Sequence, residues 1–188
     1  MIKCKEDYLR YLKEDKNANN ITKNIRFFSE RYKLWKFVKL MRRLEYETNC
    51  KKSMIVKYLL KYRFMKLSER YGFTIPLNTF EEGLSIIHRG TILVNGYAKI
   101  GKNCRINVDV VIGTKLGFAD QAPQLGDNCF IGPGAKIFGD IKIGNNVAIG
   151  ANAVVTKDIP DNVAVAGVPA KIINRNGTCG VFGYYVKT

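Results

Sequence analysis

The first part of the chain carries apolar residues at the spacing of helices. They recur at steps of three and four on two neighbouring faces, at Leu34, Val38 and Met41 and at Phe28, Tyr32 and Trp35. The asparagine-rich stretch KNANNITKN, residues 16–24, indicates a break between helices, because Asn favours turns and caps. We therefore predict two to four helices between Tyr8 and about Tyr71.

After Pro76 the pattern changes to a period of six residues. Aliphatic side chains lie six apart in two runs, at Ile100, Ile106 and Ile112 and at Leu125, Ile131, Ile137, Ile143, Ile149 and Val155. A second series lies four residues after most of these, at Cys104, Val110, Cys129, Ala135, Ile141, Val147 and Ala153. Glycine directly follows the aliphatic position at Gly101, Gly113, Gly126, Gly132, Gly144 and Gly150.

A six-residue unit of this kind builds one flat side of a triangular coil. We expect the repeated aliphatic residue to point into the prism and the small residue to share its interior. Glycine or asparagine is expected at the corners, where a positive φ is needed. Stacked coils form a parallel β-helix, and about five coils of roughly 18 residues fit between residues 74 and 170.

The two aliphatic runs are out of phase, because Ile112 and Leu125 lie 13 residues apart rather than 12. The intervening TKLGFADQAPQ therefore contains an insertion or a loop that leaves the prism. A loop that protrudes from a rigid scaffold is a reasonable place for function, and a tolerated surface insertion is the alternative.

Charge separates the chain into unlike parts. Residues 1–71 hold 20 Lys and Arg against 8 Asp and Glu, whereas residues 72–188 hold 11 against 8. We predict a basic α-helical N-terminal region over 1–71, a β-helix domain over 72–175 and a C-terminal tail over 176–188. The fold class is mainly β, with a small helical region in front.

The cysteines and the hydropathy of the sequence argue against a disulfide-rich, zinc-binding or membrane-spanning protein. The five cysteines are odd in number and form no CxxC pair, which argues against a disulfide framework or a zinc site. No apolar run approaches the roughly 20 residues that span a bilayer. We expect a cytoplasmic protein that binds no metal.

Three stretches resemble the hexapeptide-repeat acyltransferases: HRGTILVNGYAKIGKNCRI, IGPGAKIFGDIKIGNNVAIGANAVVTKDIP and AGVPAKII. The resemblance covers about residues 72–175 and is to the serine O-acetyltransferase-like branch, which includes enzymes that acetylate cell-surface polysaccharide units. It implies a left-handed parallel β-helix, a homotrimer, acetyl-CoA as the donor, and a histidine base near the boundary between subunits.

The resemblance implies that His88, the one histidine of the chain, is that base. Imidazole suits proton removal from a hydroxyl because its ordinary pKa, about 6.5, lies near neutral pH. His88 lies six residues before Val94, where an inward aliphatic side chain is expected, and an imidazole in a dry interior leaves its nitrogens unsatisfied. Either it has a partner there or the register slips and presents it outside. Asp109 and Asp120 are candidates to orient the imidazole or the acceptor, with a corner or loop role as the alternative.

Further residues match the donor-binding part of the family. The positions that contact the pantetheine arm correspond to Gly132, Pro133, Gly150 and Ala151. The cations and hydroxyl expected near the phosphates of coenzyme A are Thr156, Lys157, Lys171 and Arg175. Corner geometry for the first set and solvated charge for the second are the alternatives.

The residues that recognise the acceptor differ from the family. Ile87 stands where serine acetyltransferases have an Asp before the base, Ala122 stands where they have a second His, and an orienting Asp is replaced near Phe73 and Thr74. We therefore expect an O-acetyltransferase that acts on a sugar or polysaccharide precursor, with serine as the alternative acceptor.

Two other functions remain as alternatives. The basic helices could bind an anionic membrane surface. No nucleic-acid-binding signature is present, so we do not expect a nucleic acid partner. A β-helix scaffold without catalysis shares every feature except the need for His88.

Overall fold

Three helices open the chain. The computed structural model describes residues 1–22, 26, 29–50 and 53–179. The helices are α1 (Lys5–Ala18), α2 (Glu30–Cys50) and α3 (Met54–Tyr71). The inward positions that the spacing predicts in α2, Leu34, Val38 and Met41, are each at most 1% exposed. Phe28 of the neighbouring face lies outside the described residues.

Short strands follow α3 and form a helix of parallel strands. They are β1 (Phe73–Thr74), β2 (Ser85–Ile86), β3 (Ile92–Val94), β4 (Lys99–Ile100), β5 (Arg105–Ile106), β6 (Val110–Gly113), β7 (Gln124–Leu125), β8 (Phe130–Ile131), β9 (Lys136–Phe138), β10 (Lys142–Ile143), β11 (Ala148–Ile149), β12 (Val154–Val155), β13 (Ala164–Ala166) and β14 (Lys171–Asn174). Three sheets result, in the orders β1-β3-β6-β9-β12, β10-β7-β4 and β14-β13-β11-β8-β5-β2. All pairs are parallel except β13 with β14. This is the parallel β-helix that the period predicts, with the left-handed coil that the family resemblance implies.

The interior of the prism is filled by the two predicted series. All nine aliphatic positions, from Ile100 to Val155, are at most 5% exposed, and the seven positions of the second series are at most 7% exposed. Successive coils are in register, since Ile106 pairs with Ile131 and Ile131 pairs with Ile149. Each buried aliphatic side chain contributes about 1.5–3 kcal/mol relative to exposure, so this stack is the main source of stability.

The corners use asparagine, and the repeat glycines serve another purpose. The corner residues with positive φ are Asn103, Asp109, Asn128, Asn146, Asn152 and Asn162. The expectation of glycine or asparagine at the corners is confirmed by the five asparagines and by Gly134, with a φ of 75°, whereas none of the six repeat glycines has a positive φ. A Cβ on Gly132 would lie 2.8 Å from the backbone of Gly150 and Ala151 in the next coil. The repeat glycines are therefore needed because the coils approach closely.

The predicted loop leaves the prism between β6 and β7. Ile100 pairs with Leu125, 25 residues later, whereas Leu125 pairs with Ile143, 18 residues later. The difference, 25 − 18 = 7, is the number of residues that the loop adds to one coil. Residues 115–120 are exposed, and Leu116 is 97% exposed.

A buried network of ion pairs and hydrogen bonds connects the helices with the first coil of the β-helix. The guanidinium of Arg42 is fully buried and donates to Asp15 at 2.8 Å and to Glu45 at 2.9 Å. It also donates to the carbonyl oxygens of Phe80 and Glu81 at 2.9 and 2.8 Å. Because a buried charge needs such partners, this network fixes how the helices sit against the β-helix.

Asp15 extends the network into the turn before β2. Its Oδ1 accepts hydrogen bonds from the backbone N–H groups of Gly83 and Leu84, both at 2.8 Å. The side chain of Asn19 donates to the carbonyl oxygen of Leu84 at 2.7 Å. The end of α1 therefore lies directly beside the turn that leads into β2.

A domain boundary between residues 71 and 72 stays a prediction. Helix α3 ends at Tyr71 and β1 begins at Phe73, but the buried network joins the two parts. Of the predicted tail, residues 180–188 lie outside the described residues.

Candidate active site

His88 lies outside the prism, at a corner that is two residues longer than the equivalent corner of the next coil. Ile86 pairs with Ile106 and Ile92 pairs with Val110. In the first coil Ile92 therefore follows Ile86 by six positions, whereas in the next coil their partners, Ile106 and Val110, are only four positions apart. The side chain of His88 is 60% exposed. Of the two possibilities left open by the sequence, the register slips and the imidazole faces outward.

Glu30, the first residue of α2, is the carboxylate beside His88. Its Oε1 lies 3.9 Å from Nδ1 of His88, accepts a hydrogen bond from the backbone N–H of Arg89 at 3.0 Å, and lies 3.7 Å from Nε of Arg89. The backbone N–H of Tyr32 donates to Oγ of Ser29 at 3.2 Å, which caps the helix and fixes its start. Since Glu30 faces Nδ1, the Nε2 atom is the one available to a ligand.

A pocket of about 230 Å³ surrounds this pair. It lies where the end of α1 and the start of α2 meet β2, the His88 corner and β5. Its polar and charged lining residues are Asn19, Asn20, Glu30, Arg31, Ser85, His88 and Arg105. One base, one carboxylate and two guanidinium groups thus line a small cavity. We name it the His88 pocket.

The two aspartates proposed to orient His88 or the acceptor lie outside the His88 pocket. Asp109 has a positive φ at a corner, and its Oδ2 lies 3.2 Å from Nζ of Lys136. Asp120 is exposed in the protruding loop. Neither lines the His88 pocket, where Glu30 is the acid among the described residues. An orienting role for Asp109 or Asp120 within one chain therefore has no support in this geometry.

Four of the residues matched to donor binding lie together on one edge of the prism. Gly132 stacks beneath Gly150 and Ala151, and the backbone N–H of Asn152 donates to the carbonyl oxygen of Pro133 at 2.9 Å. Pro133 and Ala151 are exposed. This edge presents backbone with little side-chain cover.

The predicted phosphate-binding residues lie in three places. Lys171 in β14 pairs with Ala166, and a Cβ on Gly150 would lie 3.0 Å from the Cβ of Ala166, so Lys171 lies close to the glycine edge. Thr156 and Lys157 are exposed at the corner after β12, and Arg175 is exposed after β14. Their role in donor binding stays a prediction.

The buried cysteines do not provide a nucleophile. Burial raises the pKa of the Cys104 thiol well above its ordinary value and that of Cys129 to about 11, so both remain protonated near neutral pH. Within residues 1–22, 26, 29–50 and 53–179, no group of three or more His, Cys, Asp and Glu could hold a metal ion. In the same ranges no helix is both long and apolar enough to cross a membrane.

Sequence reasoning missed Glu30, Arg31 and Arg105 as pocket residues. Ser29 followed by Glu30 is a recognisable helix start. However, nothing in the local sequence indicates that this start docks against the His88 corner. That contact depends on how α2 packs against the β-helix, which the buried network around Arg42 determines.

Comparison with known proteins agrees with the fold. Residues 122–157 match the family described as bacterial transferase hexapeptide (six repeats). The coils and this match agree, and over this part of the β-helix the chain is similar to the hexapeptide-repeat transferases. Within that class it resembles the serine O-acetyltransferase branch. A serine acetyltransferase of Synechococcus elongatus is 37% identical over 97 residues, which are 51% of this chain and 40% of that protein.

Solved structures extend the similarity to the helices. The crystal structure of serine acetyltransferase from Brucella abortus strain S19 superposes with a TM-score of 0.74 at 27% identity, covering 92% of this chain and 71% of that one. A serine acetyltransferase in complex with CoA gives a TM-score of 0.71 at 25% identity, covering 90% of this chain and 71% of that one. The sequence match to the curated relative thus covers less than half of that protein, while the fold match includes most of the present chain.

Proposed function

We propose that this chain is an acetyl-CoA-dependent O-acetyltransferase that uses His88 as its general base and L-serine as its acceptor. The observation that carries the proposal is the His88 pocket, in which the base lies beside one carboxylate and two guanidinium groups. The serine acetyltransferases to which the chain is similar, one of them in complex with CoA, support the donor and the acceptor.

The chemistry follows from the exposed imidazole. Nε2 of His88 removes the proton from the serine hydroxyl as the oxygen attacks the thioester carbonyl. The negative charge of Glu30, 3.9 Å from Nδ1, stabilises the imidazolium that forms. The tetrahedral intermediate collapses with release of the CoA thiolate, which takes a proton from the imidazolium. O-acetylserine and CoA are the products.

Serine fits the pocket by charge and by size. Its carboxylate can pair with the guanidinium of Arg31 or Arg105, and its ammonium with Glu30. The volume of about 230 Å³ lies below the roughly 300–1,000 Å³ of sites for drug-sized ligands, which favours a small acceptor.

The sugar acceptor expected from the sequence is therefore replaced by the alternative, serine. That expectation depended on Ile87 and Ala122, which lack the polar groups found in the family. The pocket supplies charged residues from α2 and β5 instead, and the relatives named above are serine acetyltransferases.

Acetyl-CoA is proposed to lie along the glycine edge. The bare backbone around Gly132, Pro133, Gly150 and Ala151 lets a pantetheine arm approach closely, and Lys171 near this edge would meet the phosphates. We also propose a homotrimer, in which a neighbouring chain completes the donor site. Light scattering that gives three chain masses would support the trimer, and a monomer mass would contradict it.

A panel of acceptors tests the assignment of serine. L-serine is expected to give a kcat/KM at least about 100-fold above 3-hydroxypropionate, which lacks the ammonium, and above serine methyl ester, which lacks the carboxylate. Each analogue leaves one charged pocket residue without its ion-pair partner, so each analogue loses binding. Nucleotide sugars and oligosaccharides serve as the competing class, and faster turnover with any of them would contradict serine as the acceptor.

Glu30→Gln tests the carboxylate beside His88, which is proposed to stabilise the imidazolium and to pair with the ammonium of serine. Two unit charges about 4 Å apart interact by about 1 kcal/mol in water, and Glu30 is half-exposed, so we expect kcat to fall about tenfold. KM for L-serine should also rise, because its ammonium loses its partner, and Glu30→Asp, which keeps the negative charge, should recover part of both losses.

The matched control for Glu30→Gln is Glu6→Gln, which removes an exposed glutamate from the first turn of α1. It should leave both kcat and KM unchanged. Equal losses in Glu30→Gln and Glu30→Asp would show that the negative charge of Glu30 has no role in the reaction.

A further inference from the structure

A second concave surface, the basic groove, lies between α2, α3 and the His88 corner. It has a volume of about 550 Å³. Six of its lining residues are cationic: Lys33, Lys36, Arg63, Lys66, Arg70 and Arg89. No Asp or Glu belongs to its described lining. This concentration of one sign of charge has no part in the proposed acetyl transfer.

Helical spacing explains why these cations converge. Lys33 and Lys36 are one turn apart on α2, and Arg63, Lys66 and Arg70 follow one another at steps of three and four on α3. The two helices thus present their basic faces to the same groove. Arg89 closes it from the β-helix side, with its guanidinium carbon 5.8 Å from the centre of the Tyr71 ring.

Internal acids neutralise only part of this charge. Lys66 pairs with Glu69 at 3.1 Å, and Arg89 lies 3.7 Å from Glu30. For Arg63 and Arg70 the described part of the chain offers no acidic partner within ion-pair distance. Converging like charges repel each other, so an anion that enters the groove is attracted by all of them at once.

The other lining residues of the groove are apolar or aromatic: Leu40, Leu67, Tyr62 and Tyr71. A purely electrostatic surface would not need such residues, whereas a ligand with a planar or aliphatic part would pack on them. The volume lies within the range of small-molecule sites, about 300–1,000 Å³.

We propose that the basic groove is a binding site for a phosphorylated small molecule that carries at least two phosphate charges and an apolar or aromatic group. Arginine and lysine bind the phosphate oxygens through charge-assisted hydrogen bonds, and the tyrosines and leucines contact the remainder. The ligand is either free in solution or the headgroup of a lipid, and both sources share this chemistry. The site is separate from the glycine edge proposed for acetyl-CoA.

The test measures binding of inorganic tripolyphosphate to the full chain by titration calorimetry. The variant Arg63→Gln/Arg70→Gln removes two groove cations and keeps good helix formers. Its matched control, Lys99→Gln/Lys142→Gln, removes two exposed cations from β4 and β10. We expect the groove variant to bind at least about tenfold more weakly and the control to bind within about twofold of the original chain.

A second arm separates the two sources of phosphate. Vesicles of phosphatidylcholine with phosphatidic acid are compared with vesicles of phosphatidylcholine alone, using the same two variants. Binding that only the groove variant loses assigns the ligand to a lipid headgroup, and tripolyphosphate binding without vesicle binding assigns it to a free molecule. Equal weakening in both variants, or no binding in either arm, would overturn the proposal. Neither arm measures turnover, so failure of the proposed acetyl transfer leaves the result unchanged.

Discussion

Replacing His88 with alanine is expected to lower kcat for acetyl transfer by about 10²–10⁴, which is the usual contribution of a general base. The chain has one histidine, so no second imidazole can replace it. The side chain is 60% exposed at a corner outside the prism, so its removal leaves no cavity in the core. The fold and the affinity for CoA should therefore remain, and steady-state kinetics with L-serine measure the loss.

His88→Gln provides a second variant that keeps a polar side chain of similar size. It should lose as much activity as His88→Ala, because an amide cannot accept and release a proton near neutral pH. Tyr97→Ala, at another exposed position of the β-helix, should keep full activity. Turnover that survives in both His88 variants would show that a different group acts as the base.

Arg42→Met is expected to lower the free energy of unfolding by about 3–5 kcal/mol, because it leaves the carboxylates of Asp15 and Glu45 buried without their partner. The carbonyl oxygens of Phe80 and Glu81 lose their donors as well. Urea unfolding followed by the fluorescence of Trp35, the one tryptophan and a residue of the same helix, measures the change.

The matched control is Lys39→Met, an exposed cation on the same helix, which should change the free energy of unfolding by less than about 0.5 kcal/mol. Similar values for the two variants would show that the buried network does not fasten the helices to the β-helix.

The effect of Arg42→Met should depend on pH. Burial raises the pKa of Asp15, although Arg42 and two backbone N–H groups oppose this. Without Arg42 the pKa rises further, so the fold favours a protonated Asp15 more strongly than the unfolded chain does. The loss in free energy of unfolding that Arg42→Met causes is therefore smallest below the pKa of Asp15 in the unfolded chain, about 3.9. It grows as the pH rises through the pKa of Asp15 in the folded variant. A deficit that is equal at pH 4.5 and pH 7.5 would contradict this reasoning.

Much of the β-helix could be predicted because its interior repeats. Each coil must fill the same narrow prism, so the aliphatic and small positions recur at fixed spacing and identify the strands. The protruding loop was also visible, since seven extra residues shift the period by one. The role of the repeat glycines could not be predicted, because a positive φ and a close approach of two coils both require glycine, and the sequence does not distinguish these two reasons.

The site was only partly predictable. The orientation of His88 depends on a two-residue extension in the first coil, where the preceding register positions are Glu82 and Pro76 and carry no clear period. Glu30 meets His88 only because α2 docks beside that corner. The docking uses apolar side chains of α2 that pack in one core with the β-helix, together with a buried arginine, and arginine at a helical position is ordinarily expected at the surface.

The most direct test of the account is to incubate the chain with L-serine and acetyl-CoA labelled with ¹³C in the acetyl group and to identify the labelled product by mass spectrometry. We predict labelled O-acetylserine in equal amount to the CoA released, and none with His88→Ala. Release of CoA without labelled serine, or label that appears only on a sugar supplied in the same mixture, would contradict it.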